Sequence, residues 1–332
     1  MSMTTMSAQQ AMHQALREEM QRDARVMLMG EGVATLRPDL VNEFGADRVR
    51  NTPLAEAIMA GCAVGAAASG LRPVVDMLYV PFLTYAMDAI VNSAGKLRYI
   101  SGGQFSFPLV LLANTGAGWG VGAQHTHNLE AWFAHSPGLK VVMPSTVADA
   151  HGLLKAAIRD HNPVLCFSDM TLQHATAEVA LDPDAVIPLG VAAVRRVGHD
   201  VTLVSYSKSV HTCLEAAQRL SEQGVSAEVI DLRSVKPLDM DAVLASVRRT
   251  GRLLVVHEAG ALCGVGAEVA AQVAERAFAA LRAPVKRLTS PDVPTPASHV
   301  LEQAFVPQVD QVVASVWSML REHLARPEVQ AA

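Results

Sequence analysis

Aromatic residues make up only 5% of the 332 residues, and charged residues 18%, in a chain that is 50% hydrophobic. Ala, Val and Leu supply most of the apolar content, which suits helices packed closely on sheets rather than a core built around large rings. No Lys/Arg cluster stands out and the net charge is -5, so nothing electrostatic points to nucleic acid. The four cysteines, Cys62, Cys166, Cys213 and Cys263, are scattered through apolar runs with no CxxC and no His/Cys spacing of a zinc site. They read as free thiols of a reducing cytoplasm. The early segment AMHQALREEMQRD reads as a charged amphipathic helix and not as a signal peptide. The longest run of small apolar residues, AIMAGCAVGAAASGL, spans about 15 residues and carries internal glycines, which is short for a membrane span.

What the chain does have is alternation of strand-length and helix-length apolar segments. A helix over 8–22 is followed by strand RVMLMG, helix LAEAIMAGCAVGAAASG, strand RPVVDML and helix TYAMDAIVNSAGKLRY. Strand FPLVLLA, a glycine-rich turn, helix HNLEAWFA, strand KVVMPS, helix TVADAHGLLKAAIRD and strand PVLCFSD complete a first α/β domain over 1–178. Residues 179–198 read as a linker inside a polar, weakly periodic stretch that starts at 171. A second α/β series then runs over 199–326, from DVTLVSYS to a last helix at 309–325, with a frayed tail. Such βα alternation predicts mainly parallel sheets covered on both faces.

Three segments could carry chemistry. In NTPLAEAIMAGCAVG, Thr52 is placed to cap a helix, Pro53 to open it, and Glu56 to lie in its first turn near the positive end of the dipole. A glutamate there can simply stabilise the helix. Gly61, Gly65 and the surrounding alanines, however, leave the helix almost without bulk, so it can pack backbone-close against another element, often across a subunit boundary. A carboxylate heading such a helix is expected to be dry and to titrate high. In NTGAGWGVGAQHTHNLE, the GxGxxA of Gly118, Gly120 and Ala123 must be weighed as a dinucleotide motif. It does not open a first βαβ unit, and the next strand ends in MPS without an acid, so a glycine loop leading to His125 and His127 is the better reading. In AIRDHNP, a helix stops before Asn162–Pro163. Its free carbonyls beside Asp160 either end the helix and nothing more, or hold a cation.

In this order the segments resemble the β subunits of the decarboxylating component of pyruvate, branched-chain 2-oxo acid and acetoin dehydrogenases. NTPLAEAIMAG looks like the family's D-T-P-I-S-E-x-x-x-x-G. GLRPVVDM, DAIVNSAGKLRYISGGQF, FPLV, GAQHTH, HSPGLKVVMPST, GLLKAAIRDHNPV and DLRSVKPLD agree in register over nearly the whole chain. The resemblance implies a thiamine-diphosphate-binding (pyrimidine) domain with a mainly parallel sheet, followed by a transketolase C-terminal-like α/β domain. It implies oxidative decarboxylation of pyruvate or a related 2-oxo acid with acyl transfer to lipoamide. The alternatives are acetoin cleavage or acyloin carboligation on the same cofactor and, more remotely, a non-catalytic scaffold.

Site roles follow from the same resemblance. Glu56 falls on the carboxylate that hydrogen-bonds N1′ of the aminopyrimidine, and Phe82 on the aromatic that stacks on that ring. Leu54 and Leu78 fall on apolar wall positions, and His125 on the histidine near the reacting carbon. Leu109, Ala157, Ile158, Asp160 and Asn162 fall on a potassium site found in some relatives. The family binds diphosphate through Mg²⁺ with a G-D-G motif and a paired Asn, and no GDG occurs in this sequence. An α subunit supplying that half, in an α₂β₂ tetramer served by a lipoyl acyltransferase, is therefore expected, and the bare helix at 54–70 suits such an interface. The chain also departs from the pattern. GEGVATLRPDLVNEF lacks several residues of a glycine-rich insert near the active-site entrance, Asn51 stands for Asp, Ala55 for Ser, and His127 for Gln. None of these touches Glu56; they bear on substrate and acyl acceptor.

Overall fold

The computed structural model describes residues 3–180, 182 and 184–322. Two compact units emerge. The first comprises residues 1–191 together with 233–238 and 293–305; the second comprises 192–232, 239–292 and the segment from 306 onward. The expected extension of the last helix to 325, and the tail, lie outside the described residues.

The first unit is built on a seven-stranded sheet in the order Ser234–Lys236, Lys140–Val142, Val164–Asp169, Val110–Thr115, Arg72–Tyr79, Val26–Gly30, Val49–Asn51. Every pairing is parallel except that of the edge strand Ser234–Lys236 with Lys140–Val142. Side chains alternate between the two faces of each strand. On one face Leu28, Val74, Val110, Leu112 and Cys166 meet helices Ala8–Arg22 and Val147–Arg159 through Leu16, Met20, Leu153, Leu154 and Ile158. The opposite face, with Val75, Met77, Leu111 and Phe167, is covered by the helix Glu56–Ala68 and the segments that follow the strand Arg72–Tyr79. The mainly parallel sheet expected from the alternation is therefore present.

The structure adds elements that the apolar pattern does not announce. The stretch after 171 contains the strand Thr176–Val179, which pairs antiparallel with Thr4–Ser7. Residues 80–100 form no single helix but a 3₁₀ segment Val80–Ala86, a π-helical segment Asp88–Ala94 and a short α-helix Leu97–Ile100. The shortened segment after Gly32 folds into two short helices, Val33–Leu36 and Pro38–Phe44. Asn51 secures the first of these: its Oδ1 accepts the Ala34 N–H at 2.8 Å and its Nδ2 donates to Thr35 Oγ1 at 3.2 Å.

The second unit carries a five-stranded sheet in the order Lys286–Ser290, Leu253–Gly260, Val201–Ser205, Ala227–Asp231, Ala193–Arg196. Only the last pairing is antiparallel. That edge strand, Ala193–Arg196, lies within the stretch 179–198 that the sequence offers as a linker. Leu203, Val229 and Val256 pack against Cys213, Ala217 and Leu220 of helix Ser209–Glu222 and against Val312, Val316 and Met319 of helix Val309–Arg321. Among the described residues no helix is long and apolar enough to cross a membrane.

Candidate functional site

Parallel sheets place functional groups at the carboxyl ends of their strands, where loops are free of the ladder. Three of the expected residues lie at such ends in the first unit. The strand Arg72–Tyr79 delivers Leu78, in a left-handed conformation with φ 60°, then Tyr79, and the 3₁₀ segment behind it carries Phe82. The strand Val110–Thr115 leads through a glycine loop to the short helix Ala123–Thr126, which carries His125. The His125 ring meets Tyr79 edge-on at 4.9 Å between centroids and Phe82 at 5.3 Å, and Tyr79 and Phe82 meet at 5.5 Å. His125 and Phe82, inferred separately, thus stand together. Tyr79 completes the cluster and escapes sequence reasoning; its one signal there is an aromatic residue closing a strand.

Glu56 lies in the first turn of its helix, as expected, but the helix starts at Glu56 itself rather than at Pro53, and the cap differs. Ala55 occupies the N-cap position and provides no side-chain hydrogen bond. Thr52, expected to cap, instead donates its backbone N–H to Gly30 O at 2.9 Å, because the chain at Pro53 and Leu54 is not yet helical. Among the described residues Glu56 has no hydrogen-bond or ion-pair partner, and it is half-buried rather than dry. The helix that it heads packs against the 3₁₀ segment bearing Phe82. Leu54 is 66% exposed, so as a wall residue it faces open space in this chain, whereas Leu78 is half-buried.

The glycine loop answers the dinucleotide question. Gly116, Gly118, Gly120 and Gly122 all have positive φ, a conformation that turns backbone N–H groups toward a common concavity. The concavity is filled by the protein itself: Glu302 Oε1 accepts the Gly118 N–H at 3.0 Å and Oε2 accepts the Gly120 N–H at 2.9 Å. The helix after the loop has only four residues, too short for a dinucleotide fold. His127 is exposed, and its carbonyl accepts from Thr115 Oγ1 at 3.2 Å.

The carbonyls around residue 160 are also engaged. Arg72 Nη1 donates to Ile158 O at 2.8 Å and to Asp160 O at 3.0 Å. Leu109 O accepts from Val164 N at 3.0 Å and Ala157 O from Asp160 N at 3.2 Å. The Asp160 carboxylate accepts from Lys140 and Asn162, and Asn162 Oδ1 accepts from Arg98 at 2.7 Å. Burial raises the Asp160 carboxyl, but the hydrogen bonds from Lys140 and Asn162 outweigh it and hold the group below the usual carboxylate range. A potassium ion bound here would share its oxygens with Arg72. Among the described residues no group of three or more His, Cys, Asp or Glu could hold a metal.

Residues 4–172 match the transketolase pyrimidine binding domain, and residues 190–312 match the transketolase C-terminal domain. The chain is 45% identical over 317 residues to subunit beta-2 of the mitochondrial pyruvate dehydrogenase E1 component of Oryza sativa subsp. japonica, covering 93% of this chain and 84% of that protein. It belongs to the thiamine-diphosphate-dependent 2-oxo acid dehydrogenase β-subunit family. The 2-oxoisovalerate dehydrogenase subunit beta of Bacillus subtilis (strain 168) is 42% identical, with 95% of this chain and 98% of that protein covered. The acetoin:2,6-dichlorophenolindophenol oxidoreductase subunit beta of the same strain is 40% identical, with 95% and 97% covered. A solved structure described as a split gene transketolase, an inactive beta4 tetramer, aligns with a TM-score of 0.80 at 24% identity, over 95% of this chain and 98% of that one. That likeness speaks for the fold alone.

Proposed function

We propose that this β subunit supplies the pyrimidine half of a thiamine-diphosphate site in a heteromeric 2-oxo acid dehydrogenase. The observation that carries this reading is a carboxylate without a protein partner among the described residues, Glu56, on a helix packed against the segment of the Tyr79–Phe82–His125 cluster. A flat, weakly basic heteroaromatic ring suits such surroundings: apolar surface for its faces and one carboxylate for its ring nitrogen. Bound thiamine diphosphate supplies the electron sink for decarboxylation of the 2-oxo acid. Glu56 holds the proton at the pyrimidine N1′. Phe82 and Leu78 give the ring apolar walls. His125, held edge-on by two aromatic rings, moves a proton at the reacting carbon or orients the acyl acceptor.

In this reading an α subunit contributes the diphosphate and Mg²⁺ half, in an α₂β₂ tetramer, and a lipoyl acyltransferase receives the acyl group. The similarity to an acetoin oxidoreductase subunit supports a second substrate class, acetoin, on the same residues. The test is calorimetric and kinetic. The lone chain should bind thiamine diphosphate poorly with Mg²⁺ present and turn over nothing, while the heteromer should do both. In the heteromer Glu56→Gln should lower decarboxylation by about 10²–10⁴-fold, the usual worth of a positioned acid or base. Unchanged turnover in that variant would remove Glu56 from the chemistry, and tight Mg²⁺-dependent binding by the lone chain would remove the need for a partner.

A further inference from the structure

We propose that Glu302 is a positioning residue for His125: its carboxylate occupies the amide nest of the glycine loop 116–122 and fixes the segment from which His125 projects. The role of His125 rests on the function proposed above; the clamp itself does not.

Glu302 is 1% exposed, and its two carboxylate oxygens are divided between two loop amides, Gly118 N–H at 3.0 Å and Gly120 N–H at 2.9 Å. Among the described residues it has no cationic partner. A carboxylate taken out of water without a counter-charge is costly, so the loop amides are what make this burial tolerable. The dependence is mutual. Four glycines at positive φ make a soft backbone, and a bidentate charged acceptor restrains two of its N–H groups at once. The segment before Glu302 also lies against the loop: a Cβ on Gly120 would sit 3.2 Å from Ala297 O, and one on Gly122 would sit 3.6 Å from Ala297 Cβ.

The restraint is passed on to His125 over a short path. Gly122 O accepts the His125 N–H at 3.2 Å and Thr126 Oγ1 at 2.9 Å, while Gly116 N donates to Thr126 O at 3.1 Å. A loop that shifts at 118–120 therefore shifts the turn that sets the His125 ring against Tyr79 and Phe82. The arrangement also explains why GxGxxA is present without a dinucleotide: the motif binds an anion, and that anion is a side chain of the same unit.

Glu302→Gln keeps the shape but sets an amide NH₂ against one of the two loop N–H groups. In the lone chain, chymotryptic nicking at Trp119, which is 46% exposed, should accelerate about tenfold or more, the factor expected from losing a charge-assisted bond. In the heteromer kcat should fall about tenfold, with the KM for thiamine diphosphate within about twofold, because loop position rather than cofactor affinity has changed. Added to His125→Gln, Glu302→Gln should cost little more, since residues acting as one unit do not multiply their effects. Unchanged nicking overturns the clamp. Multiplying effects, or a His125→Gln variant with full turnover, overturn the link to His125, and the latter also removes His125 from the proposed function. If Glu302→Gln does not fold, Gly120→Ala disturbs the same loop from the Ala297 side and should give the same two signatures.

Discussion

The two faces of the seven-stranded sheet are finished in different ways. Helices Ala8–Arg22 and Val147–Arg159 pack on one face, with Leu16, Met20, Leu153 and Leu154 inside and charges paired at the seam. Glu18 accepts from Lys155 at 2.8 Å and pairs with His151 at 2.9 Å, and Glu19 pairs with Arg159 at 2.6 Å and Arg22 at 2.8 Å. Helix Glu56–Ala68 covers the other face with Met59, Ala60, Ala63, Val64 and Ala67, but its outer side is left apolar and bare. Leu54 and Ile58 are each 66% exposed, and a Cβ on Gly61 or Gly65 would meet nothing within 4 Å. Ile58, Gly61 and Gly65 recur at helical spacing, so they form one stripe, and Leu54 stands just ahead of it. A face that pairs its own charges suits a self-sufficient fold, whereas a smooth apolar stripe beside Glu56 is the kind of surface that the proposed function needs for its partner.

Substitution of the stripe should separate folding from assembly most sharply. Ile58→Glu should leave the lone chain's stability within about 0.5 kcal/mol, as for most exposed positions. It should nevertheless prevent assembly with the α partner, read as loss of the heteromer in sedimentation. A stable heteromer from this variant would show that the stripe is ordinary surface. The closed face should behave in the opposite way. Lys155→Met removes a fully buried ammonium and leaves Glu18 short of its main donor, so denaturant unfolding of the lone chain should lose about 3–5 kcal/mol. A loss below about 1 kcal/mol would mean that this seam is no more demanding than the open face.

Much of this contrast is legible in the sequence. Periodicity locates helix Ala8–Arg22 to the residue, and the lack of bulk around Gly61 and Gly65 marks the open stripe. What escapes has physical causes. The edge strand Ser234–Lys236 has three residues, too few to show alternation, and it joins a sheet formed by residues far earlier in the chain. The segment 80–100 carries helical spacing, yet it is wound as 3₁₀, π and α in turn, a choice that packing makes rather than propensity. Glu302 is invisible because its partners are backbone N–H groups 182 and 184 residues away, and an amide has no side-chain signature. Sequence reasoning reaches Phe82 only through resemblance, and His125 first as a histidine behind a glycine loop; that their rings touch each other and Tyr79 is a fact of the fold.

The smallest expected effect is the acid response of the closed face. Burial is the largest influence on Glu18 and raises its carboxyl, but hydrogen bonds from Lys155 and Gln14, with the charges of His151 and Lys155, together bring it below the ordinary 4.5. Burial is also the main influence on His151 and lowers it below the ordinary 6.5, against the pull of Glu18. Both groups therefore take up protons at higher pH in the unfolded chain than in the folded one, and stability must fall on acidification. The His151 contribution is present above pH 6.5 and is lost as the pH drops toward its folded value; the Glu18 contribution follows below 4.5. His257, buried in the second unit and pushed down to about 4, and His127, lowered by desolvation of its ring, add limbs of the same sign, so the wild-type curve alone does not isolate the seam. The informative quantity is the difference between wild type and His151→Gln in melting temperature of the lone chain from about pH 7.5 to about pH 5. The variant should lose part of the decline below pH 6.5 while the remainder, from His257 and His127, persists. Superimposable declines would show that His151 is not held neutral by its burial, and would remove the seam from the pH response.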